Sequence, residues 1–189
     1  DVCSSDLYVG AGLVLLLDMM RGRRAPSGLL SLFLLVDAAA AALIQLGVGA
    51  DGPALHGAIV VDRFSLFFTF LLLAVTGAVI VATADWAADL EDRGEFYALL
   101  LVAVGSMILL VQSNDLISVF VALETTSIAQ FILAGIARSD RSSEAGLKYL
   151  LTGSISAAVL LYGFAFLFGM AGTTALPGIA EFVRARPEG

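Results

Sequence analysis

Six long apolar stretches divide the chain, and short polar segments separate them. The last five are each close to the roughly 20 residues that cross a hydrocarbon core of about 30 Å, whereas the first is shorter. The stretches are continuous rather than alternating, and the backbone inside lipid must bond within its own segment, so helices are favoured over barrel strands. The pattern predicts an all-α integral membrane protein, a polytopic bundle of about six transmembrane helices over residues 7–20, 28–50, 63–84, 95–112, 115–137 and 145–171.

The polar connections carry turn signals that place the helix ends. They lie near residues 21–27, 51–62, 85–94, 113–114 and 138–143. Asn114 or Asp115 is a good N-cap for the fifth helix, because a short polar side chain can accept a bond from the first free N–H groups. Residues 58–61 have the composition of a short extended strand.

Composition supports a membrane location and excludes other classes. Of the 189 residues, 59% are hydrophobic and only 14% are charged, so the chain cannot cover itself with polar surface or remain disordered. The net charge of −7 argues against a general nucleic-acid binder. One cysteine and one histidine exclude a disulfide within the chain and a zinc site of the usual Cys/His type.

The distribution of arginine predicts the orientation in the membrane. With strict alternation, the first, third and fifth connections share one side, and they hold six positive residues: Arg21, Arg23, Arg24, Arg93, Arg138 and Arg141. The opposite side holds three, Arg63, Arg184 and Arg186. The positive-inside rule therefore puts the first group in the cytoplasm and the N-terminus outside.

Two ionisable residues lie deep within predicted spans, where each costs about 2.5–3.5 kcal/mol on insertion scales and is a candidate for function. Glu124 is nine residues into the fifth stretch, so it is either protonated or paired with a cation or water. The alternative is a neutral carboxyl that bonds neighbouring helices together. Asp37 lies in the middle of the second stretch, and for it function and structural tolerance are equally good interpretations.

A polar stripe on the sixth helix could extend from the membrane surface to the depth of Glu124. Lys148, Thr152 and Ser156 are spaced four residues apart and lie on one helical face. Lys148 also follows Glu144 in the favourable i,i+4 orientation. The stripe could hold water for proton transfer, or its small residues could serve helix packing and Lys148 could extend to the interface.

Two further expectations concern the ends of the sequence and redox chemistry. Residues 1–7 look like a translated sequencing adapter, and we expect the sequence to be part of a longer protein. We find no phosphate-binding loop, CxxC pair or nucleophile triad, so we expect no catalytic residue, metal or redox cofactor in this chain.

Several short motifs occur in the order and spacing of a known family. They are residues 61–64, 95–97, 114–116, 122–124, 143–149, 161–163 and 169–174. With these motifs the chain resembles subunit N of the proton-pumping NADH–quinone oxidoreductase, respiratory complex I, over about residues 57–180. Leu123 stands where the other antiporter-like subunits usually have a Trp, which favours subunit N.

The resemblance implies a fold and a role. The chain would be the N-terminal part of a fourteen-helix antiporter-like fold, with 8–62 as the first two helices, 63–172 as the start of the proton-translocating unit and 173–189 as a truncated tail. Glu124 would be the helix-five glutamate of the proton channel and Lys148 the helix-six lysine, while the helix-seven lysine that pairs with the glutamate lies beyond the sequence. Asp37 is outside the motif.

The resemblance also implies partners. NADH, FMN, iron–sulfur clusters and quinone would bind to other subunits of the complex, and the protein would lie in a bacterial plasma membrane beside other membrane subunits. Two alternatives stay open: a subunit of a Mrp-type cation/proton antiporter or hydrogenase-linked proton pump, and a structural membrane subunit without transport.

Overall fold

The computed structural model describes residues 2–21, 27–48, 52–54, 57–90 and 92–185. Within these ranges the chain forms eight helices and one two-stranded hairpin. In chain order they are α1 (Val2–Arg21), α2 (Ser27–Val48), β1 (Gly52–Ala54), β2 (Ile59–Val61), α3 (Arg63–Ala82), α4 (Ala84–Ala88), α5 (Arg93–Gln112), α6 (Leu116–Gly135), α7 (Asp140–Ala171) and α8 (Leu176–Ala185).

The predicted all-α membrane architecture is confirmed. Five helices, α2, α3, α5, α6 and α7, are long and apolar enough to cross a membrane. The first predicted span, residues 7–20, lies within α1. Residues 2–7 are part of this helix and Leu7 is fully buried, while their foreign origin stays a prediction.

Side-chain caps explain where the helices begin and end. Asp62 accepts a bond from the Ser65 N–H at 2.7 Å while its own N–H donates to the Ser65 hydroxyl, which closes a capping box at α3. Asp115 caps α6, as predicted, and Ser139 caps α7. Gly172 ends α7 with φ of 69°, a left-handed conformation that glycine adopts without a Cβ penalty.

Helix α5 forms the centre of the bundle. It packs against α1, α2, α3 and α6, and more of its surface is buried than that of any other span in the described chain. Its buried apolar residues include Phe96, Leu101, Val104 and Ile108. A hydrogen bond of 2.7 Å between the Tyr8 and Ser106 hydroxyls also joins α5 to α1. Helix α7 instead packs on α6 at one edge and buries none of its residues fully.

The connections lie at two opposite ends of the bundle, as alternation requires. At the first end, the Asn114 N–H donates to the Ala58 carbonyl at 2.8 Å, and the Thr174 hydroxyl donates to the Asp115 carboxylate at 2.5 Å. These bonds join the segments before α3, before α6 and after α7. We call this the hairpin end, because β1 and β2 lie there.

The other end, which we call the arginine end, holds the connection from α3 to α5 and the connection from α6 to α7. An ion pair of 2.6 Å joins Arg138 to Asp92, and Asp18 near the end of α1 lies directly against Gly94 at the start of α5. The third and fifth predicted connections thus share one end, and Arg23 and Arg24 of the first connection fall outside the described residues. Which end faces the cytoplasm stays a prediction.

Candidate functional site

Glu124 lies close to the middle of a membrane-spanning helix. It is the ninth of the 20 residues of α6, about 12 Å along a helix that is about 30 Å long at 1.5 Å per residue. Its side chain is half-buried. The Glu124 carboxyl therefore lies far from both membrane surfaces, as predicted, at a depth where an unpaired charge is most unfavourable.

The face of α6 that carries Glu124 is directed towards α7. Ile128 and Phe131 follow at four and seven residues, so they share this face, and the Phe131 ring lies 4.8 Å from the Tyr149 ring of α7. Towards the hairpin end the same side of α6 presents Val121 and Ile117, which are exposed. Ile117 lines a groove between α6 and α7, so α7 lies along α6 on both sides of Glu124.

The neighbouring threonine hydroxyls donate their hydrogen bonds to backbone carbonyls rather than to Glu124. The Thr125 hydroxyl donates to the Val121 carbonyl at 2.8 Å, and the Thr126 hydroxyl donates to the Ala122 carbonyl at 2.9 Å. Arg138 forms an ion pair with Asp92 and Lys148 forms one with Glu144, and neither pair includes Glu124. A charged Glu124 therefore needs a cation or water from outside the described residues.

Two glycines bring α7 close to α6 and fix the relative depth of the two helices. A Cβ on Gly146 would lie 3.2 Å from the Phe131 carbonyl oxygen, and a Cβ on Gly153 would meet the Phe131 ring. The helices are antiparallel, so moving seven residues back from Phe131 to Glu124 corresponds to moving seven forward on α7. Glu124 is then level with about residues 153–160, a range centred near Ser156. The predicted match in depth between Ser156 and Glu124 agrees with this register.

Lys148 is not brought next to Glu124. Its ammonium group pairs with Glu144 at 2.5 Å, and its side chain is 72% exposed. It precedes Ser156 by eight residues, which is about 12 Å along the helix axis. The structure therefore shows the i,i+4 pair that the sequence indicated and a lysine much shallower than the glutamate.

The polar stripe on α7 points out of the described bundle. Lys148, Thr152 and Ser156 are all exposed, whereas Gly146, Tyr149 and Gly153 pack on α6. The Thr152 hydroxyl donates to the Lys148 carbonyl at 2.9 Å, and the Ser156 hydroxyl donates to the Thr152 carbonyl at 3.0 Å. The hydroxyl oxygens remain free to accept from water. The stripe reaches the depth of Glu124, but on a flank that α6 does not cover.

A groove between α6 and α7 gives a second route towards Glu124, and the sequence analysis did not identify it. It opens at the arginine end beside Asp92, Glu95 and Arg138, and it continues along Leu147 to Ile128, one helical turn from Glu124. The opposite charges in the third and fifth connections were the available signal. These charges do not by themselves reveal the groove, because the sequence does not say which loops touch.

Asp37 lies apart from this site. It is exposed at the middle of α2, on the side turned away from the buried residues Leu35, Ala38 and Ala42.

A group of three or more His, Cys, Asp or Glu side chains able to hold a metal is absent from the residues that the structure describes.

Comparison with protein families gives a match over residues 113–188. The matching family is described as NADH:quinone oxidoreductase/Mrp antiporter, transmembrane. The chain is 41% identical over 143 residues to NADH-quinone oxidoreductase subunit N 2 of Symbiobacterium thermophilum, which covers 72% of this chain and 28% of that protein. It is 39% identical over 177 residues to subunit N 1 of Herpetosiphon aurantiacus, covering 93% of this chain and 36% of the relative. The chain thus spans about a third of the length of these relatives.

Solved structures show the same helix arrangement. A chain of respiratory complex I from Thermus thermophilus, solved with bound aureothin, superposes with a TM-score of 0.76 at 31% identity over 92% of this chain and 38% of that chain. A chain of an archaeal membrane-bound sulfane sulfur reductase superposes with a TM-score of 0.81 over 95% of this chain and 39% of that one. Its identity is 18%, so it shows the fold alone.

Proposed function

The chain belongs to the transmembrane family of NADH:quinone oxidoreductases and Mrp antiporters, and from this we propose that it is part of a proton-translocating membrane subunit of an NADH:quinone oxidoreductase. The observation that carries the proposal is Glu124, a half-buried carboxyl near the middle of α6. A carboxyl at this depth can hold a proton and release it when the local field changes. Glu124 is the proton-loading group of the proposal.

The balance of charge around Glu124 would control the proton. Desolvation favours the neutral carboxyl and a nearby cation favours the carboxylate, so a small movement of a cation can switch between them. The lysine implied by the family resemblance would supply that cation from outside the described residues. The groove beside Glu95 and the exposed stripe of Lys148, Thr152 and Ser156 are two routes by which water could reach Glu124 from the arginine end.

The redox reaction would take place in other subunits. NADH, FMN, iron–sulfur clusters and quinone would bind there, and this chain would respond to electron transfer through charge and hydration. Its partners would be the other membrane subunits, the bilayer and protons, and its location the plasma membrane of a bacterium. Glu124, Lys148 and the stripe residues are proposed as groups for proton movement rather than as catalytic residues.

The matching family also includes Mrp antiporters, which makes a cation/proton antiporter subunit the second candidate. Leu123, in place of the Trp usual in other antiporter-like subunits, favours the first candidate. The two candidate functions differ in the energy source that drives proton translocation. An NADH-driven pump acidifies one side of a vesicle without added sodium, whereas an antiporter needs a gradient of a second cation.

The experiment that tests the proposal is the ratio of protons translocated to electrons transferred. The intact complex with the full-length subunit is reconstituted into vesicles, and acidification is recorded beside NADH-driven quinone reduction. Loss of translocation with retained assembly in a Glu124 variant supports the proposal. Full translocation in an assembled complex that lacks a titratable group at position 124 refutes it.

Lys148→Ala should reduce proton translocation by about twofold or less, well below the effect of removing the Glu124 carboxyl. The exposed Lys148–Glu144 pair contributes only about 0.5 kcal/mol to stability, and Lys148 lies much closer to the membrane surface than Glu124 does. Glu144→Ala is the matched control, because it breaks the same ion pair and leaves the amine. A complete loss in Lys148→Ala together with normal pumping in Glu144→Ala would mean that the amine itself is essential.

The arginine end should face the cytoplasm. We expect a membrane-impermeant maleimide added outside the cell to label a single cysteine introduced by Ala58→Cys at the hairpin end, but not one introduced by Asp140→Cys at the arginine end. Cys3 is replaced by serine in both variants. Permeabilised cells serve as the control that both positions react. Labelling at position 140 alone in intact cells would reverse the topology.

A further inference from the structure

A groove of about 350 Å³ lies at the arginine end, between the start of α2, the end of α3 and the start of α5. We call it the α2–α5 groove. Its polar lining comes from the first residues of two helices, Ser27 of α2 and Arg93 of α5. Its apolar lining includes Leu32, which lies five residues further along α2 and so about 7.5 Å deeper in the membrane. The groove is thus polar at the membrane surface and apolar below it.

Ser27 places a buried hydroxyl without a partner in this groove. Only 2% of the residue is exposed, and it is part of the groove lining. Its hydroxyl oxygen forms no hydrogen bond within the described residues. Buried polar groups in proteins are nearly always hydrogen-bonded, and an unpaired one calls for a specific explanation. A ligand in the α2–α5 groove provides that explanation.

The groups around Ser27 favour an anion as this ligand. The first N–H groups of a helix have no partner within the helix, and the positive end of the helix dipole adds to their attraction for negative charge. Arg93 also interacts within the protein, but its guanidinium has five N–H donors and can bind a second partner. The Tyr97 hydroxyl lies beside the same helix end, since a Cβ on Gly28 would be 3.0 Å from its oxygen. Carboxyl groups are absent from the part of the lining that the structure describes.

The size and the apolar walls of the groove point to a lipid as the source of the anion. One turn of a helix about 10 Å wide, with a pitch of about 5.4 Å, occupies roughly 400 Å³, so a further helix of any chain is too large to enter. A free phosphate would leave the walls formed by Leu29, Leu32 and Val81 uncovered, whereas an acyl chain covers them. Three of residues 21–24 are arginines, and basic residues next to a membrane span attract anionic lipids.

We infer that the α2–α5 groove binds an anionic phospholipid. The phosphate lies at the first turn of α2, where the Ser27 hydroxyl, the Arg93 guanidinium and the Tyr97 hydroxyl donate hydrogen bonds to it. The first part of one acyl chain lies along Leu32. The inference does not depend on the proposed function, because the site contains neither Glu124 nor a group of the proposed proton routes.

The test is photolabelling of the intact complex that contains the full-length subunit. Loosely bound lipid is removed in detergent, and phosphatidylglycerol with a diazirine near the start of one acyl chain is added. After illumination we expect saturable labelling, mapped by mass spectrometry, at residues 29–32 and 80–81. An excess of unlabelled phosphatidylglycerol should lower it about tenfold, and the same concentration of inorganic phosphate should not.

Two outcomes of the photolabelling overturn the inference. Absent or non-saturable labelling of these peptides would mean that protein covers the groove or that lipid contacts it without specific binding. Equal competition by inorganic phosphate would mean a site for free anions.

Single substitutions provide the second measurement. Arg93→Gln should raise the lipid concentration for half-maximal labelling by about tenfold. Ser27→Ala, which removes only the unpaired hydroxyl, should raise it by about threefold. Arg63→Gln is the matched control, because Arg63 is exposed at the first residue of α3, outside the groove, and it should leave labelling unchanged. Wild-type labelling in both Arg93→Gln and Ser27→Ala overturns the inference.

Discussion

Replacing Glu124 by glutamine should leave the complex assembled but lower proton translocation by at least about tenfold. The amide has nearly the same shape, so the contact of α6 with α7 is retained, but it cannot accept and release a proton. A positioned proton-transfer group commonly contributes about 10²–10⁴-fold to the step it serves, so a tenfold loss is a conservative expectation. The measurement is the proton-to-electron ratio in vesicles, with assembly followed on native gels.

Two further variants separate a proton-loading role from a structural one. Glu124→Asp keeps the titratable group and should recover part of the translocation. Thr125→Val is the matched neighbour: its hydroxyl bonds only to the Val121 carbonyl of its own helix, so the variant should pump normally. Normal translocation by an assembled Glu124→Gln complex would mean that Glu124 only joins helices. Equal losses in Glu124→Gln and Glu124→Asp would equally contradict proton loading.

Gly146→Leu should prevent stable association of α6 with α7, and with it most of the assembly of the subunit. A Cβ at this position would lie 3.2 Å from the Phe131 carbonyl oxygen and 3.3 Å from the Gly135 backbone. Backbone atoms cannot rotate away as a side chain can, so a leucine must separate the helices. Overpacking of this kind commonly costs about 1–3 kcal/mol or more. The amount of assembled complex and its thermal stability give the measurement.

The same helix provides the control for this change. A Cβ on Gly163 meets nothing within 4 Å in the described chain, so Gly163→Leu should be tolerated much better. Gly146→Ala should have a small net effect, because the gain in helix propensity of about 1 kcal/mol offsets a shift of a few tenths of an ångström. Similar losses in Gly146→Leu and Gly163→Leu would show that α7 is sensitive to bulk everywhere rather than at its contact with α6.

The predicted helix ends were not all correct: α7 begins at Asp140, inside the predicted connection 138–143, and the short helices α4 and α8 were not predicted. The sequence alone did determine the approximate positions of the spans and the depth of the candidate groups. Apolar run length is sufficient for this, because the thickness of the hydrocarbon core sets how many residues a helix needs. The caps were equally local: Asp115 accepts from an N–H two residues along the chain, so the pattern around it contained the whole interaction. The depth of Glu124 and the shallow position of Lys148 followed from counting residues along two helices.

Only the tertiary structure decided which faces meet. It put α5 at the centre, joined Arg138 to Asp92, and turned both Asp37 and the stripe of Lys148, Thr152 and Ser156 away from the described bundle. In a soluble helix an apolar stripe marks the buried side, whereas a membrane helix is apolar on the lipid side as well as the protein side. Hydrophobic periodicity therefore gives the depth of a residue in such a helix but not its neighbour, and the neighbours came from packing at small residues such as Gly146 and Gly153.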